Sequence, residues 1–386
     1  MSATRPLIVA GSVAQRPGNG GHTWVFLQYL LGFARLGWPV MLLDRLEPEM
    51  STDRAGRPAP PSESWNLEYL REVMERFGLG DSYAVLLGDE ESFGMSRPDA
   101  LERVADSALL LNVNGFVTDP EVLSLAPLRA YLDIDPGFGQ MWSALDLHDP
   151  FTGHDAFVTI GERIGRPGCT IPTVGLEWIT TPQPVVLDLW PRQEPGGEAF
   201  TSVGSWRGPF GPIEFEGQTY GLRVHEFRKF ARLPKLAPAP FEIALDIDAA
   251  DSADIELLRE GGWRLADPAV VAADPLAYRE YVEGSRAELM VAKNMYVRSR
   301  GGWFSDRSIC YLASARPVLA QETGFSERYP TGEGLLSFTT LEEAIAGVER
   351  ITEDYDRHAR RAREIAEDHF DSDKVLRRLL TSLGIA

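Results

Sequence analysis

At 386 residues, with 44% hydrophobic and 25% charged residues, the chain has the composition of a globular protein and exceeds the usual size of one core, so two domains are expected. Its formal net charge of −19, with no long basic run to offset it, repels nucleic-acid phosphates and argues against nucleic acid as a partner. No window approaches the ~18 uninterrupted apolar residues of a membrane span; the start of the chain lacks the apolar length of a secretory signal, and Cys169 and Cys310 have no metal-ligand spacing, so a cytoplasmic protein with reduced thiols is expected.

In chain order, the first half alternates short apolar runs with helical stretches. Strands are predicted at Leu7–Ala10, Val40–Leu43, Tyr83–Leu87, Ala108–Val113, Ala130–Ile134 and Ala156–Ile160. Helices are predicted between them at His22–Leu36, Asn66–Phe77, Pro98–Ala105 and Gly139–Leu145. Continuously apolar strands separated by helices imply a parallel sheet covered on both faces. The helix His22–Leu36 is apolar nearly all round and should be buried. The Pro/Gly-rich stretch Thr180–Gly197 then reads as a linker.

A second alternation follows, with strands predicted at Phe200–Val203, Phe241–Leu245, Glu288–Ala292 and Val318–Ala320. Its helices are predicted at Leu222–Phe230, Ser252–Glu260 and Pro275–Ser285, with a short apolar one before the turn Ala315-Arg316-Pro317. Thr340-Leu-Glu-Glu343 has capping-box spacing and opens a charged helix, and Tyr355–His369 continues helically. The tail Asp371–Leu383 places Val375, Leu376, Leu379, Leu380 and Leu383 on one face, with Ser372 as the expected N-cap.

Four segments carry residue types suited to chemistry. Arg16-Pro-Gly-Asn-Gly-Gly-His22 lies between the first strand and the first helix; Gly20 and Gly21 let backbone come close to a ligand, and the helix start supplies positive potential. It departs from the dinucleotide fingerprint, because Thr23 stands where a third glycine or alanine belongs, although Asp44 matches that motif's acidic ribose residue. The bland alternative is a tight turn with a capping contact. Asp133-Ile-Asp135-Pro-Gly follows a strand end, where its carboxylates would face a ligand crevice. Such a pair can also ligate a divalent metal, or Asp135-Pro-Gly can simply turn the chain; cleft-facing carboxylates without a metal are the favoured reading.

The third segment is Ser202-Val-Gly-Ser-Trp-Arg207, where Gly204 and Ser205 would donate hydrogen bonds and Arg207 would pair with phosphate. The fourth runs from Lys293 through Arg298, Arg300 and the loop Ser305-Asp306-Arg307-Ser308 to the loop Glu322-Thr323-Gly324. Both of its loops offer small, polar and cationic groups to an anion, which a chain of charge −19 must concentrate locally to hold a diphosphate.

This loop, helix, turn, strand and second loop resemble the donor-sugar half of GT-B glycosyltransferases. The resemblance implies an α/β fold of two Rossmann-like domains facing a cleft, with a C-terminal helix crossing back to the N-terminal domain. It implies an acceptor domain over residues 1–180, a linker over 181–197, a donor domain over 198–368 and a crossover helix over 369–386. The implied co-substrate is a nucleoside diphosphate sugar, transferred to a small-molecule acceptor without a metal or other cofactor. His22 would serve as general base with Asp133 or Asp135 nearby, and Gly20 and Gly21 would form the acceptor-side loop. The donor would be held by Gly204, Ser205, Arg207, Lys293, Arg298, Ser305, Asp306, Arg307, Ser308, Glu322, Thr323 and Gly324. Cys310 stands where retaining members carry their second glutamate, a departure from the family pattern at the ribose contact. Two other readings remain at this point: a glycosyltransferase-like nucleotide-binding protein without turnover, and a nicotinamide-dependent oxidoreductase built on Asp44.

Overall fold

A computed structural model describes residues 5–88, 91–192 and 196–385. The first lobe is built on eight strands: β1 (Leu7–Ala10), β2 (Val40–Arg45), β3 (Tyr83–Leu87), β4 (Glu91–Gly94), β5 (Leu109–Val113), β6 (Arg129–Asp133), β7 (Ala156–Thr159) and β8 (Trp178–Thr180). They lie in the order β4-β3-β2-β1-β5-β6-β7-β8, parallel except for the antiparallel edge strand β4. The apolar runs behave as a parallel sheet requires: every residue of β1 and β5 is buried, because helices cover both faces.

The second lobe has β9 (Phe200–Ser205), a hairpin of β10 (Ile213–Phe215) and β11 (Gln218–Tyr220), then β12 (Phe241–Asp246), β13 (Arg264–Ala266), β14 (Ala287–Met290), β15 (Val318–Gln321) and β16 (Leu335–Phe338). Six of these form a parallel sheet in the order β13-β12-β9-β14-β15-β16. The strands absent from the sequence-based expectation are β4, β8, β10, β11, β13 and β16. They have three or four residues each, and β4 and β13 are edge strands with exposed positions, so periodicity had little to act on.

Two connections join the lobes, and they bond to each other. Val185 N–H donates to Phe370 O (2.7 Å) and Ser372 N–H donates to Val185 O (2.9 Å). Residues 193–195 of the expected linker lie outside the described residues. The terminal helix Ser372–Ser382 then packs on the helix Gly20–Arg35 of the first lobe, burying Val375, Leu376, Leu379 and Leu380. Each such side chain contributes roughly 1.5–3 kcal/mol. Its N-cap is Asp371, which accepts from Asp373 N–H, while the expected cap Ser372 is the first helical residue. The capping box at Thr340 and Glu343 forms as its spacing implies. Among the described residues no helix is long and apolar enough to cross a membrane.

Candidate functional site

In both sheets the strand order reverses beside the first strand, at β1/β5 and at β9/β14. The carboxyl ends of these strands point at one another across the interlobe cleft, the place where open α/β sheets bind ligands. A cavity of about 400 Å³ lies there, walled by both lobes.

The first-lobe wall is delivered by the loops after β1, β5 and β6. Asn19 caps the helix Gly20–Arg35 by accepting from His22 N–H, which fixes the histidine at the cavity wall. The His22 Nε2 lies 2.9 Å from Ser12 Oγ, so Nδ1 is the ring nitrogen without a hydrogen bond among the described residues. Burial, reinforced by the Arg16 guanidinium, lowers its pKa to about 3 and keeps the imidazole neutral. Asp133 ends β6 buried, its Oδ2 accepting from Gln140 Nε2 (2.7 Å) and Thr159 Oγ1 (2.8 Å). Burial raises that carboxyl to about 6. Asp135 faces the second lobe: Lys293 Nζ lies 2.5 Å from its Oδ1, and the Tyr296 hydroxyl donates to the same oxygen. Burial would raise Asp135, but the Lys293 ammonium and these hydrogen bonds outweigh it and hold the carboxyl below its ordinary range.

The second-lobe wall is strongly cationic. Ser305 caps the helix Asp306–Ala313, accepting from Arg307 N–H, and the turn presents Ser305, Asp306 and Arg307 to the cavity. Arg307 is only 7% exposed; its Nε meets Glu288 at 2.5 Å and its Nη1 donates to Val203 O (2.7 Å), but its buried Nη2 has no partner among the described residues. Arg223, 9% exposed, lies across Gly204, and its Nε and Nη1 are buried without a partner among the described residues. A Cβ on Gly204 would sit 2.1 Å from Arg223 Nη1, so only glycine admits this guanidinium. Burial and the neighbouring Arg307 lower the Arg223 pKa to about 10. Two buried guanidiniums, side by side and under-bonded, form a site that favours an anion.

Solved structures share this two-lobed architecture. The chain superposes on an alpha-glucosyltransferase in complex with UDP and DNA at a TM-score of 0.61 and 11% identity, over 99% of this chain and 100% of that one. It superposes on HepE from Anabaena in complex with UDP at 0.57 and 9% identity, over 99% and 100% of the two chains. For AviGT4, a glycosyltransferase involved in avilamycin A biosynthesis, the values are 0.56 and 12%, over 98% and 97%. The chain has the GT-B fold. No family model and no curated protein matches its sequence.

The GT-B cleft gathers some of the expected site residues and leaves others outside. His22, Asp133, Asp135, Gly21, Gly204, Ser205, Lys293, Ser305, Asp306 and Arg307 all line the cavity. Arg207 does not: Trp206 beside it is buried and bonded to Asp254, which turns Arg207 outward onto Asp251 (2.9 Å). Arg298 donates to Thr219 O (2.9 Å) on the protein surface. Ser308, in the first turn of the helix Asp306–Ala313, is fully buried and does not line the cavity. The loop Glu322–Gly324 also stays outside. Thr323 donates to Trp303 O and accepts from Gly302 N–H (2.9 Å), so the loop backs the 302–303 segment while Trp303 itself reaches the cavity.

Gly20 has a packing role, because its N–H donates to Ala272 O (2.7 Å) of the second lobe. Asp44 is fully buried and receives Ala14 N–H (2.7 Å), Arg45 N–H (2.7 Å) and Gln15 Nε2 (3.2 Å). It shapes the loop after β1 and, wholly buried, does not line the cavity, so the structure does not offer the ribose contact on which the nicotinamide reading was built. Cys310 is buried and donates to Asp306 O (3.3 Å), outside the main cavity. Arg223, Tyr296 and the aromatic residues of the wall were not anticipated. Arg223 sits in an ordinary helical stretch, and only the tertiary fold brings it beside Arg307.

Proposed function

We propose that the chain is a metal-independent glycosyltransferase that moves a sugar from a nucleoside diphosphate sugar to a small-molecule acceptor. In this reading residues 1–180 form the acceptor lobe, residues 198–368 form the donor lobe, and 181–197 link them. One observation carries it: Arg223 and Arg307 are buried at the cavity wall with N–H groups that find no partner among the described residues, in a molecule of net charge −19. Buried cations persist where an anion completes them. The GT-B fold and the UDP named with two of the superposed structures support a nucleoside diphosphate as that anion.

The chemistry follows from the two walls. Arg223, Arg307 and Lys293 offset the charge that develops on the departing diphosphate. His22, neutral at the opposite wall, accepts the acceptor's proton. With only its protein neighbours the imidazole is a weak base; a diphosphate partnering the cations adds negative potential and raises its basicity. Asp135 holds Lys293, and Asp133 anchors the turn that presents Asp135, whose N–H donates to Asp133 Oδ1 (3.1 Å). That the two carboxylates bond to separate partners supports the metal-independent reading. Differential scanning fluorimetry with UDP, dTDP, GDP and ADP tests the reading. At least one should raise the unfolding midpoint, by the equivalent of about 2.7 kcal/mol at a hundredfold excess over Kd. No shift with any of the four would overturn it.

A further inference from the structure

The formal charges around the cavity cancel. Glu288, fully buried behind the wall, takes Arg307 (2.5 Å), and Asp135 takes Lys293 (2.5 Å). Arg16 and Arg223 then stand against Asp133 and Asp306, and none of these four is in an ion pair among the described residues. A nucleoside diphosphate sugar keeps one negative charge on each phosphate. Its arrival turns a balanced site into an anionic one, inside a molecule of net charge −19.

One proton would offset part of that charge, and the two unpaired carboxylates differ in their fitness to take it. Asp133 accepts from Gln140 Nε2 (2.7 Å), Thr159 Oγ1 (2.8 Å) and the Asp135 N–H (3.1 Å), three bonds that favour its ionised form. Asp306 has a single long side-chain contact, with Ser305 Oγ at 3.5 Å. Burial raises its pKa, against the pull of Arg307 and of the N–H groups at the start of its helix. Asp135 across the cavity adds to the rise. The other titratable groups in electrostatic reach of Asp306 are Tyr29, Tyr278 and Cys310, which burial keeps uncharged.

We infer that the donor binds together with a proton, taken from solvent onto the Asp306 carboxylate, which then donates its O–H to a diphosphate oxygen. The inference rests on the sugar-transfer reading above. Ionised, Asp306 would meet the diphosphate as a like charge in a buried site, and two such anions share a proton. Protonated, it becomes a hydrogen-bond donor on the same wall as Arg223 and Arg307.

Calorimetric titration near pH 7, in buffers of different ionisation enthalpy, counts the protons taken up on binding. The probe is the methyl ester, at the terminal phosphate, of whichever nucleoside diphosphate raises the unfolding midpoint; its phosphates do not titrate near neutrality. The wild type should take up a measurable fraction of a proton, and its affinity should fall at least about threefold from pH 6 to pH 8. Asp306→Asn keeps the shape and a donor but cannot titrate there. It should take up no proton and hold its affinity within about twofold over that range. No uptake by the wild type, uptake retained in Asp306→Asn, or loss of binding in that variant would overturn the inference while leaving sugar transfer standing. So would binding of the diphosphate but not of its ester, because the site would then demand the full negative charge. Failure of every nucleoside diphosphate to bind would instead remove the reading beneath it, and this inference with it.

Discussion

Lys293 of the second lobe sets its ammonium 2.5 Å from the Asp135 carboxylate of the first, and Tyr296 donates to the same oxygen. This contact ties the lobes together and also occupies a cation that a diphosphate would attract. The substitution Asp135→Asn therefore acts in two directions. Because the pair is partly exposed, losing it should lower unfolding stability by only about 1–2 kcal/mol. Removing a negative charge from beside the diphosphate site should raise UDP affinity several-fold. Thermal denaturation and calorimetric titration check the two effects; a variant that loses UDP affinity would instead give Asp135 a direct part in donor binding.

His22 should leave a signature in the pH dependence of stability. Its folded pKa of about 3 lies below the unfolded value, so on acidification the unfolded chain takes up a proton that the fold refuses. Its contribution is complete above pH ~6.5 and is lost as pH falls toward 3, at roughly 1.4 kcal/mol per unit. Asp44 and Asp133, raised to about 7 and about 6 by burial, act oppositely and favour the fold as pH drops toward their unfolded values. His22→Gln removes only the first effect. The midpoint of the variant should gain on that of the wild type between pH 7 and pH 5; a constant difference would contradict a buried neutral imidazole.

The lobe contact at Gly20 admits no side chain. A Cβ there would lie 2.1 Å from Asp274 O, so Gly20→Ala must push apart the helix Gly20–Arg35 and the start of the helix Pro275–Glu283. Overpacking of this kind costs about 1–3 kcal/mol. The unfolding midpoint should drop and UDP should bind more weakly, because the two cavity walls separate. An unchanged midpoint in scanning calorimetry would contradict this account of the contact.

The alternation of apolar runs and helical stretches was enough to read most of the two sheets, because parallel strands such as β1 and β5 are buried on both faces and carry uninterrupted apolar sequence. The site was only partly legible. Lys293, Ser305 and Arg307 follow strand ends or open helices, positions that face a crevice in this architecture. Arg207 shares that chain position, yet the buried Trp206 beside it decides the direction of the backbone, and nothing in the local pattern reveals this. The loop Glu322–Gly324 is held behind the 302–303 segment by long-range hydrogen bonds. Arg223 acquires its meaning only from Gly204 and Arg307, which are distant in sequence and adjacent in space.

Calorimetric titration of UDP into the wild type, Arg223→Met and Arg207→Ala tests the cationic cavity most directly. Arg223→Met should cost about 1.5–3 kcal/mol of binding, or roughly 10- to 150-fold in affinity, through lost charge-assisted hydrogen bonds. Its unfolding midpoint should hold or rise, since a buried unpaired cation is replaced by an apolar chain of similar length. Arg207→Ala, which removes a group already paired with Asp251 outside the cavity, should bind UDP as the wild type does. Wild-type UDP affinity in Arg223→Met, or a loss confined to Arg207→Ala, would contradict the assignment.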